Sequence, residues 1–307
     1  LGMGSGYSTS VIRLNNNTVL VWSGANTDDI SSRLQIPTGA TAKMNLESNN
    51  VEFAAAPKDA TGAALTSGTI QKYGTGTLKI ATAVSSPGLN FDVPTGQLTI
   101  NGTVGNVSLA SGAILGGSGT VGAVTTVSGA IIGPGNSPGT LTSSSVALVG
   151  GTDYEWQVQN ANGVAGTGYD TLAVTGALDV SGASSVNPIN LKVISLAGNG
   201  DGTALGNPLN FGPPAGASSI RTFTFATVGS LNLGANANIS DAFTIDVSQF
   251  TYTDGSSSNA GLWSLSFADN AITLTAVPEP STYGFGLGAL ALAAAAIRRR
   301  RKNQPTV

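Results

Sequence analysis

The chain has 307 residues, a formal net charge of −3, and neither cysteine nor histidine. Disulfides, thiolate metal sites and cysteine nucleophiles are therefore excluded, and so is a Ser-His-Asp triad, which needs an imidazole base. Charged residues make up 9% of the chain, and hydrophobic residues make up 41%, which is too many for a disordered protein. The composition predicts a folded protein whose surface is covered by Ser, Thr and Asn rather than by charge.

Residues 1–60 are predicted to form a β-rich segment. Thr18–Trp22 is a short run of β-prone residues, which favour a pleated surface. Residues 1–23 lack the positive start and the apolar run of a secretory signal peptide. Because the chain begins at Leu1 rather than at methionine, we expect this segment to continue a solenoid whose beginning lies upstream.

The next part of the chain contains internal repeats. Gly102 and Gly119 each begin a Gly-Thr-Val triplet, and the step from one to the other is the same as the step from Ser111 to Ser128, namely 17. The next Gly-Thr triplet starts at Gly139, after a step of 20. Steps of about 20 residues favour a solenoid whose coils of short strands stack and share one core. An irregular β-sandwich has the same composition but does not predict such regular repeats.

Residues 61–150 resemble the coils of autotransporter-associated β-strand repeat proteins. The resemblance is carried by QKYGTGTL at Gln71–Leu78, by GQLTING at Gly96–Gly102 and by the segment Ser111–Thr142. Its most specific part is GPGNSPGTL at Gly133–Leu141, a corner rich in glycine and proline. The resemblance implies a right-handed parallel β-helix on the bacterial surface.

Residues 151–276 are predicted to be a β-rich continuation or cap of these coils. GTGYDTLAVTGALDVSG at Gly166–Gly182 is similar to the segment that follows the coils in that family. The end of a solenoid is an unpaired sheet edge and must be covered. We therefore expect this part of the chain to continue the stack or to fold over it.

The last segment, residues 277–302, combines three features in order. It begins with Pro278, Glu279 and Pro280, continues with an uncharged apolar run at 283–297 and ends in a basic cluster at 298–302. The residues predicted to anchor the run in a membrane are Tyr283, Phe285, Leu287, Leu290, Leu292 and Ile297. The basic cluster consists of Arg298, Arg299, Arg300, Arg301 and Lys302.

The apolar run is predicted to be a single transmembrane helix. The run at 283–297 has 15 residues and would span about 22 Å as a helix, whereas an ordinary transmembrane helix has ~20 residues. The snorkelling stem of Arg298 and a locally thinned bilayer would supply the rest. The positive-inside rule predicts that the basic cluster stays in the cytoplasm, so the body lies outside.

This segment resembles the PEP-CTERM sorting tail, in which tripeptide, apolar run and arginine cluster follow one another. The resemblance implies recognition of Pro278, Glu279 and Pro280 by an exosortase, a membrane enzyme that cuts near the tripeptide. It also implies an exported protein of a Gram-negative bacterium, anchored through its C terminus before processing and then found at the cell surface or in the extracellular matrix. The alternatives are a buried core helix and a plain tail anchor.

Two glycine-rich motifs are similar to ligand-binding motifs, and each has a simpler explanation. Gly117–Gly122 matches the GxGxxG pattern of dinucleotide sites, but the sequence that follows it predicts a strand instead of the required helix. Gly198–Gly202 is similar to a calcium loop, but Asp201 is its single carboxylate, whereas calcium requires six to eight oxygen ligands. Turn glycines explain the first motif, and a flexible turn is favoured for the second.

Acidic residues and tryptophans offer two further candidate sites. Asp153 and Glu155 share one face of a predicted strand and could act with Asp170 or Asp179 in acid–base chemistry on a polysaccharide. Solvated surface charges are the simpler interpretation. The three tryptophans could form a platform for sugars, although core or capping roles are favoured. They are Trp22, Trp156 and Trp263.

These patterns predict a non-catalytic β-solenoid of the cell surface or matrix, with a structural or adhesive role. We expect an exosortase and the lipid bilayer as partners, exopolysaccharide as a further candidate, and no cofactor or metal. Nucleic acid is not expected, because the part before Pro278 has no basic patch. The alternatives are a polysaccharide lyase or hydrolase, which needs three carboxylates with a basic residue in one groove, and a carbohydrate-binding protein with exposed aromatics in a line.

Overall fold

The computed structural model describes residues 10–198, 204–211, 220–251 and 262–277. The regular structure of these residues is β-strand, apart from two short 3-10 helices at Ser31–Arg33 and Ile239–Ala242. The strands, numbered in chain order, are β1 (Ile12–Arg13), β2 (Val19–Val21), β3 (Leu34–Gln35), β4 (Thr41–Asn45), β5 (Val51–Phe53), β6 (Gly68–Tyr73), β7 (Thr77–Ile80), β8 (Ser85–Ser86), β9 (Leu89–Val93), β10 (Gly96–Ile100), β11 (Thr103–Val104), β12 (Val107–Leu109), β13 (Ala113–Gly117), β14 (Thr120–Thr126), β15 (Ile131–Pro134), β16 (Thr140–Val149), β17 (Asp153–Val158), β18 (Thr171–Gly182), β19 (Ile189–Ser195), β20 (Arg221–Asn232), β21 (Phe243–Asp246), β22 (Leu262–Ala268) and β23 (Ala271–Val277).

From β4 to β21 most strands alternate between two long sheets. One sheet has eight strands in the order β21-β19-β17-β15-β13-β10-β7-β5, and all of its neighbouring strands are parallel. The other follows the path β2-β4-β6-β9-β12-β14-β16-β18-β20-β23-β22; off this path, β11 pairs with β14 and β8 pairs with β11. A separate two-stranded sheet pairs β1 with β3.

This arrangement is consistent with a β-helix or solenoid, and the predicted all-β, mostly parallel class is confirmed. The right-handed coiling stays a prediction. So do the domain boundaries at 60, 150 and 276. The apolar helix expected at 283–297 lies outside the described residues. No helix among the described residues is long and apolar enough to cross a membrane.

The core is built from side chains that repeat at the same register position in successive strands. Alternating buried and partly exposed residues give each strand one inward face, as in β6 and β17. A row of inward residues therefore crosses the eight-stranded sheet from coil to coil: Val51, Leu78, Leu98, Leu115, Ile132, Tyr154, Leu191 and Ile245. Since burying each aliphatic side chain contributes about 1.5–3 kcal/mol, the shared core makes stacking favourable.

The predicted repeat with a step of 17 is confirmed, but only over part of the chain. Thr103 pairs with Thr120, and Leu98 with Leu115, in both cases at that step. The step from Gly119 to Gly139 is not equivalent, because Thr120 pairs with Thr142 at a step of 22. The longer corner at 133–139 adds residues between β15 and β16 and displaces the third Gly-Thr triplet from register.

Amide side chains satisfy backbone groups between coils. Asn90 Oδ1 accepts the backbone N–H of Asn106 at 2.8 Å, and Asn106 Oδ1 accepts the backbone N–H of Ala123 one coil later, also at 2.8 Å. On the outer face of the larger sheet, Gln71 Nε2 donates to Asp92 Oδ2 at 2.8 Å. Such contacts saturate polar groups at the corners and explain how a chain with few charges covers its surface.

The number of residues in each coil increases toward the C terminus, and the parallel order of the strands ends there. Leu172 of β18 pairs with Ala226 of β20, so this step along the chain is more than twice the one from Thr120 to Thr142. Beyond β20 the chain turns back as an antiparallel hairpin of β22 and β23, and β23 lies against β20. The hairpin covers the last parallel strand of the larger sheet.

The turn of this hairpin is formed by Asp269 and Asn270. Both residues have positive φ, as a type I′ turn requires. Asp and Asn tolerate this left-handed conformation better than most residues, so the turn fits its sequence.

Candidate functional site

The acidic pair predicted at Asp153 and Glu155 is part of a charged cluster on the outer face of the eight-stranded sheet. Strand β17 carries both carboxylates, and the neighbouring strand β19 places Asn190 opposite Asp153 and Lys192 opposite Glu155. Lys192 Nζ lies 2.7 Å from Asp153 Oδ2 and 3.9 Å from Glu155 Oε1. Asn190 Nδ2 donates to Asp153 Oδ1 at 2.9 Å. Lys192 is also in register with Asp246 of β21, which brings a third carboxylate to this row.

Asp153 and Lys192 hold each other in their ionised forms. Partial burial acts to raise the pKa of Asp153, but hydrogen bonds from Lys192 and Asn190 outweigh it, and the pKa lies below its usual value. The hydrogen bond to Asp153 raises the pKa of Lys192. Hydrogen bonds from Ser248 lower the pKa of Asp246.

Hydrolysis of a glycosidic bond needs a general acid that is protonated near neutral pH, so the pKa of that carboxyl group must be raised. Asp153 and Asp246 have the opposite shift, and Lys192 is used in an ion pair. The arrangement suits a polar surface on which Lys192 is ion-paired.

The two other acids proposed for this site do not join it. Asp170 is fully buried, and its carboxylate accepts the backbone N–H groups of Gly139 at 2.7 Å and Gln157 at 3.0 Å. Burial raises the pKa of Asp170 well above its usual range. Asp179 lies on β18 of the larger sheet, where Ser181 donates to it at 2.8 Å. Through its two hydrogen bonds, Asp170 connects Gly139, at the 133–139 corner, to Gln157 of β17.

The glycine motif at Gly117–Gly122 lies between two strands. Gly117 ends β13, Gly119 lies at the corner and Gly122 belongs to β14. A dinucleotide site requires a helix N-terminus at this point, so the turn interpretation is supported. Asp201 lies outside the described residues. Within the described ranges, no group of three acidic side chains is placed to hold a metal ion.

The tryptophans do not form an exposed platform. Trp22 and Trp156 are buried, with 2% and 0% of their surface exposed. Trp263 is half-buried, and its ring lies 6.3 Å from that of Trp156 and 5.8 Å from that of Phe211. The platform interpretation is therefore wrong for Trp22 and Trp156, and the core role favoured by the sequence is the one observed.

A buried lysine was not singled out by the sequence analysis. Lys72 is fully buried at the end of β6. Its ammonium group donates to the carbonyl oxygens of Gly74 at 2.7 Å, Thr95 at 3.0 Å and Gly76. Burial lowers the pKa of Lys72 to about 8. Because it binds carbonyls of two successive coils, Lys72 links neighbouring corners.

The sorting tripeptide, the apolar run and the basic cluster lie outside the described residues, which end at Val277. The strand that leads to them is well defined: β23 pairs on both sides up to Ala276. The tail therefore leaves the body directly from a strand, at the end of the hairpin.

Comparison with known families identifies this tail. The family described as PEP-CTERM protein-sorting motif matches residues 276–301, which confirms the predicted sorting motif. The motif indicates an exported protein that is sorted to the cell surface, and it implies processing by an exosortase. No curated protein gives a significant match to the chain.

Proposed function

We propose that this protein is a non-catalytic β-solenoid of the cell surface or extracellular matrix, with a structural or adhesive role. The observation that carries the proposal is the PEP-CTERM motif at residues 276–301, which directly continues β23, the strand of the antiparallel hairpin that ends a stack of mostly parallel strands. The coils at 61–150 are proposed to be of the autotransporter-associated type, coiled in the right-handed sense.

The stack itself supports a mechanical role. In a solenoid each coil contacts its neighbours, so that the structure extends along one axis and presents repeated outer faces. The described outer faces carry hydroxyl and amide groups, such as Thr77 and Gln97, which lie opposite each other on β7 and β10. These groups can hydrogen-bond to the hydroxyls of a polysaccharide without a deep pocket, so exopolysaccharide is the partner we propose for these faces.

The tail is proposed to act as a temporary membrane anchor. Residues 283–297 would span the bilayer, the basic residues at 298–302 would stay in the cytoplasm, and the body would lie outside. An exosortase would then read Pro278, Glu279 and Pro280 and release or transfer the body.

To test this proposal, Glu279 is replaced by Gln in cells that export the protein, and the size of the mature form is measured. Loss of the carboxylate should leave the unprocessed form in the membrane fraction. Glu52→Gln, which changes an exposed carboxylate of β5, is the matched control and should be processed normally. Normal processing of Glu279→Gln would count against recognition of the tripeptide.

One observation favours a second candidate, a polysaccharide-active enzyme: three carboxylates and a lysine come together in the row of Asp153, Glu155, Lys192 and Asp246. The charge pairing described above argues against catalysis. The test is turnover of acidic and neutral polysaccharides by the purified chain and by its Glu155→Gln variant. Turnover that is lost in the variant would establish the enzyme and overturn the non-catalytic proposal.

A further inference from the structure

The end of the hairpin exposes three aliphatic residues on neighbouring strands. Leu262 of β22 is paired with Val277 of β23, and Ile220 directly precedes Arg221 of β20, which pairs with Ala276. Their exposed fractions are 73% for Leu262, 63% for Ile220 and 38% for Val277. Since side chains alternate between the two faces of a sheet, all three lie on the outer face. We call these three residues the terminal apolar row.

The outward positions next to this row are polar. The next outward pair is Ser264 with Thr275, and the one after it is Ser266 with Thr273. On β20 the outward residue after Ile220 is Thr222, which is opposite Thr275. Aliphatic residues on the outward positions of this end of the sheet are therefore grouped next to the point where the tail begins.

The length of the tail brings this row close to any membrane that the tail enters. Only the short segment 278–282 separates Val277 from the apolar run. Fully extended, the six steps from Val277 to Tyr283 reach at most about 20 Å, at ~3.4 Å per residue. The polar layer on each side of a bilayer is about 5–8 Å thick. An inserted tail thus keeps Val277 no more than about 15 Å above the headgroup layer, and a less extended segment places it within that layer.

We propose that the terminal apolar row rests in the headgroup layer of the bilayer while the tail is inserted. This inference rests on the proposed insertion of the tail and adds a second contact to it. Exposed aliphatic side chains gain free energy on leaving water, and a contact beside the anchor costs little extra ordering of the chain. The contact fixes the height and orientation of the body, and so presents the Pro278 region to the processing enzyme at a defined depth.

Spin labels can measure this contact because the chain has no native cysteine. The full chain is reconstituted into vesicles of phosphatidylethanolamine and phosphatidylglycerol, with one nitroxide at Leu262→Cys, Ala294→Cys or Ser108→Cys. Ser108 is exposed on β12, in the middle of the stack. Collision with oxygen, which concentrates in lipid, is compared with collision with a water-soluble nickel chelate. We expect deep immersion at Ala294, headgroup immersion at Leu262 and full water exposure at Ser108.

A second set of variants tests whether the terminal apolar row itself contacts the headgroup layer or whether the label at Leu262→Cys is immersed merely because the tail holds it near the membrane. Ile220→Ser with Val277→Ser, made in the Leu262→Cys chain, should return the label to water. Val127→Ser with Val186→Ser, which removes two exposed valines elsewhere, should leave it immersed. Circular dichroism checks that each variant is folded.

The outcomes distinguish the two proposals. A label at Leu262 that is as exposed to water as the one at Ser108, while Ala294 is immersed, would overturn the row contact and leave the anchor intact. Immersion at Leu262 that survives the double serine variant would also overturn it. A water-exposed label at Ala294 would overturn the anchor and, with it, the contact that depends on it.

Discussion

The coils before Pro134 and the coils after Asp153 fill their interiors differently. In the first region equivalent strands follow one another at short steps, as from Leu98 to Leu115, and the inward residues are mainly aliphatic. In the second region the steps are longer than any in the first, as from Asp153 to Asn190. Its interior holds two groups of aromatic rings. Tyr154 contacts Phe225, which contacts Phe243. The aromatic cluster around Trp156 also contains Tyr169, Phe211, Phe223, Phe250 and Trp263.

The difference shows that coil length determines what the core requires. In the region of short steps, leucine, valine and isoleucine fill the interior, and glycine is needed where corners of successive coils touch. In the region of long steps, large rings in tilted, edge-to-face and stacked contacts fill the interior. A periodic sequence is therefore expected only where the coil length is constant.

The largest expected effect on stability is at Trp156, in the region after Asp153. Trp156→Ala removes a fully buried ring that contacts Tyr169, Phe223 and Trp263. The expected loss in the free energy of unfolding is about 3–5 kcal/mol. Chemical denaturation followed by circular dichroism measures it. Gln157→Ala is the control, with a change within about 0.5 kcal/mol. A loss as small as the control's would contradict the packing of the aromatic cluster.

A smaller loss is expected in the short-coil region, at a corner glycine. A Cβ atom at Gly119 would collide with the carbonyl oxygen of Gly102 in the preceding coil, so Gly119→Ala forces the coils apart. The expected cost is about 1–3 kcal/mol. At Gly116, on β13, the nearest atom to an added Cβ is the carbonyl oxygen of Gly133 at 3.4 Å, an ordinary contact.

Gly116→Ala should therefore leave the stability unchanged or raise it slightly, because alanine restricts the unfolded chain. Thermal unfolding of the two variants side by side makes the comparison. Equal effects of the two substitutions would mean that close approach of the coils is not what requires glycine at 119.

The buried Lys72 links two corners and should give the stability a characteristic pH dependence. Its pKa of about 8 in the folded protein lies below the usual 10.5. Between these values the unfolded chain binds more protons than the folded one, so the free energy of unfolding rises with pH in this window. Below it both states are charged, and three carbonyl contacts offset part of the cost of burying the charge.

Lys72→Met removes those contacts and should cost about 1–3 kcal/mol at neutral pH. The variant should also lack the gain between pH 8 and 10.5, so that the difference from the native protein widens there. Lys43→Met, on the neighbouring strand β4, is the control and should keep the gain. A native protein that loses stability over this pH range relative to Lys72→Met would show that the sign is wrong.

The smallest effect is expected at the charged cluster. Lys192→Met breaks the contacts with Asp153 and Glu155, which are partly exposed, and the expected loss is below about 1 kcal/mol. High salt should reduce the difference from the native protein, since screening weakens exposed charge pairs. A loss comparable to that of Trp156→Ala would mean that the cluster stabilises the longer coils as much as the aromatic core does.

The sequence predicted the parts of the fold that local patterns encode. Alternating apolar residues indicated the strands, and Gly102 and Gly119 indicated the short step between coils. The longer coils could not be found in this way, because their long and unequal steps leave no visible period. For the same reason Lys192 and Asp246 could not be placed beside Asp153, and Lys72 could not be recognised as buried. The sorting motif was predictable because its three parts are contiguous in the chain.

The measurement that most directly tests the central claim is the mass and location of the mature native protein. Fractionation of cells that express it, followed by mass spectrometry, should find the coils outside the cytoplasmic membrane. Peptides from 283–302 should be absent from that form. Recovery of the coils from the cytoplasm, still joined to residues 283–302, would contradict export and sorting by the C-terminal motif.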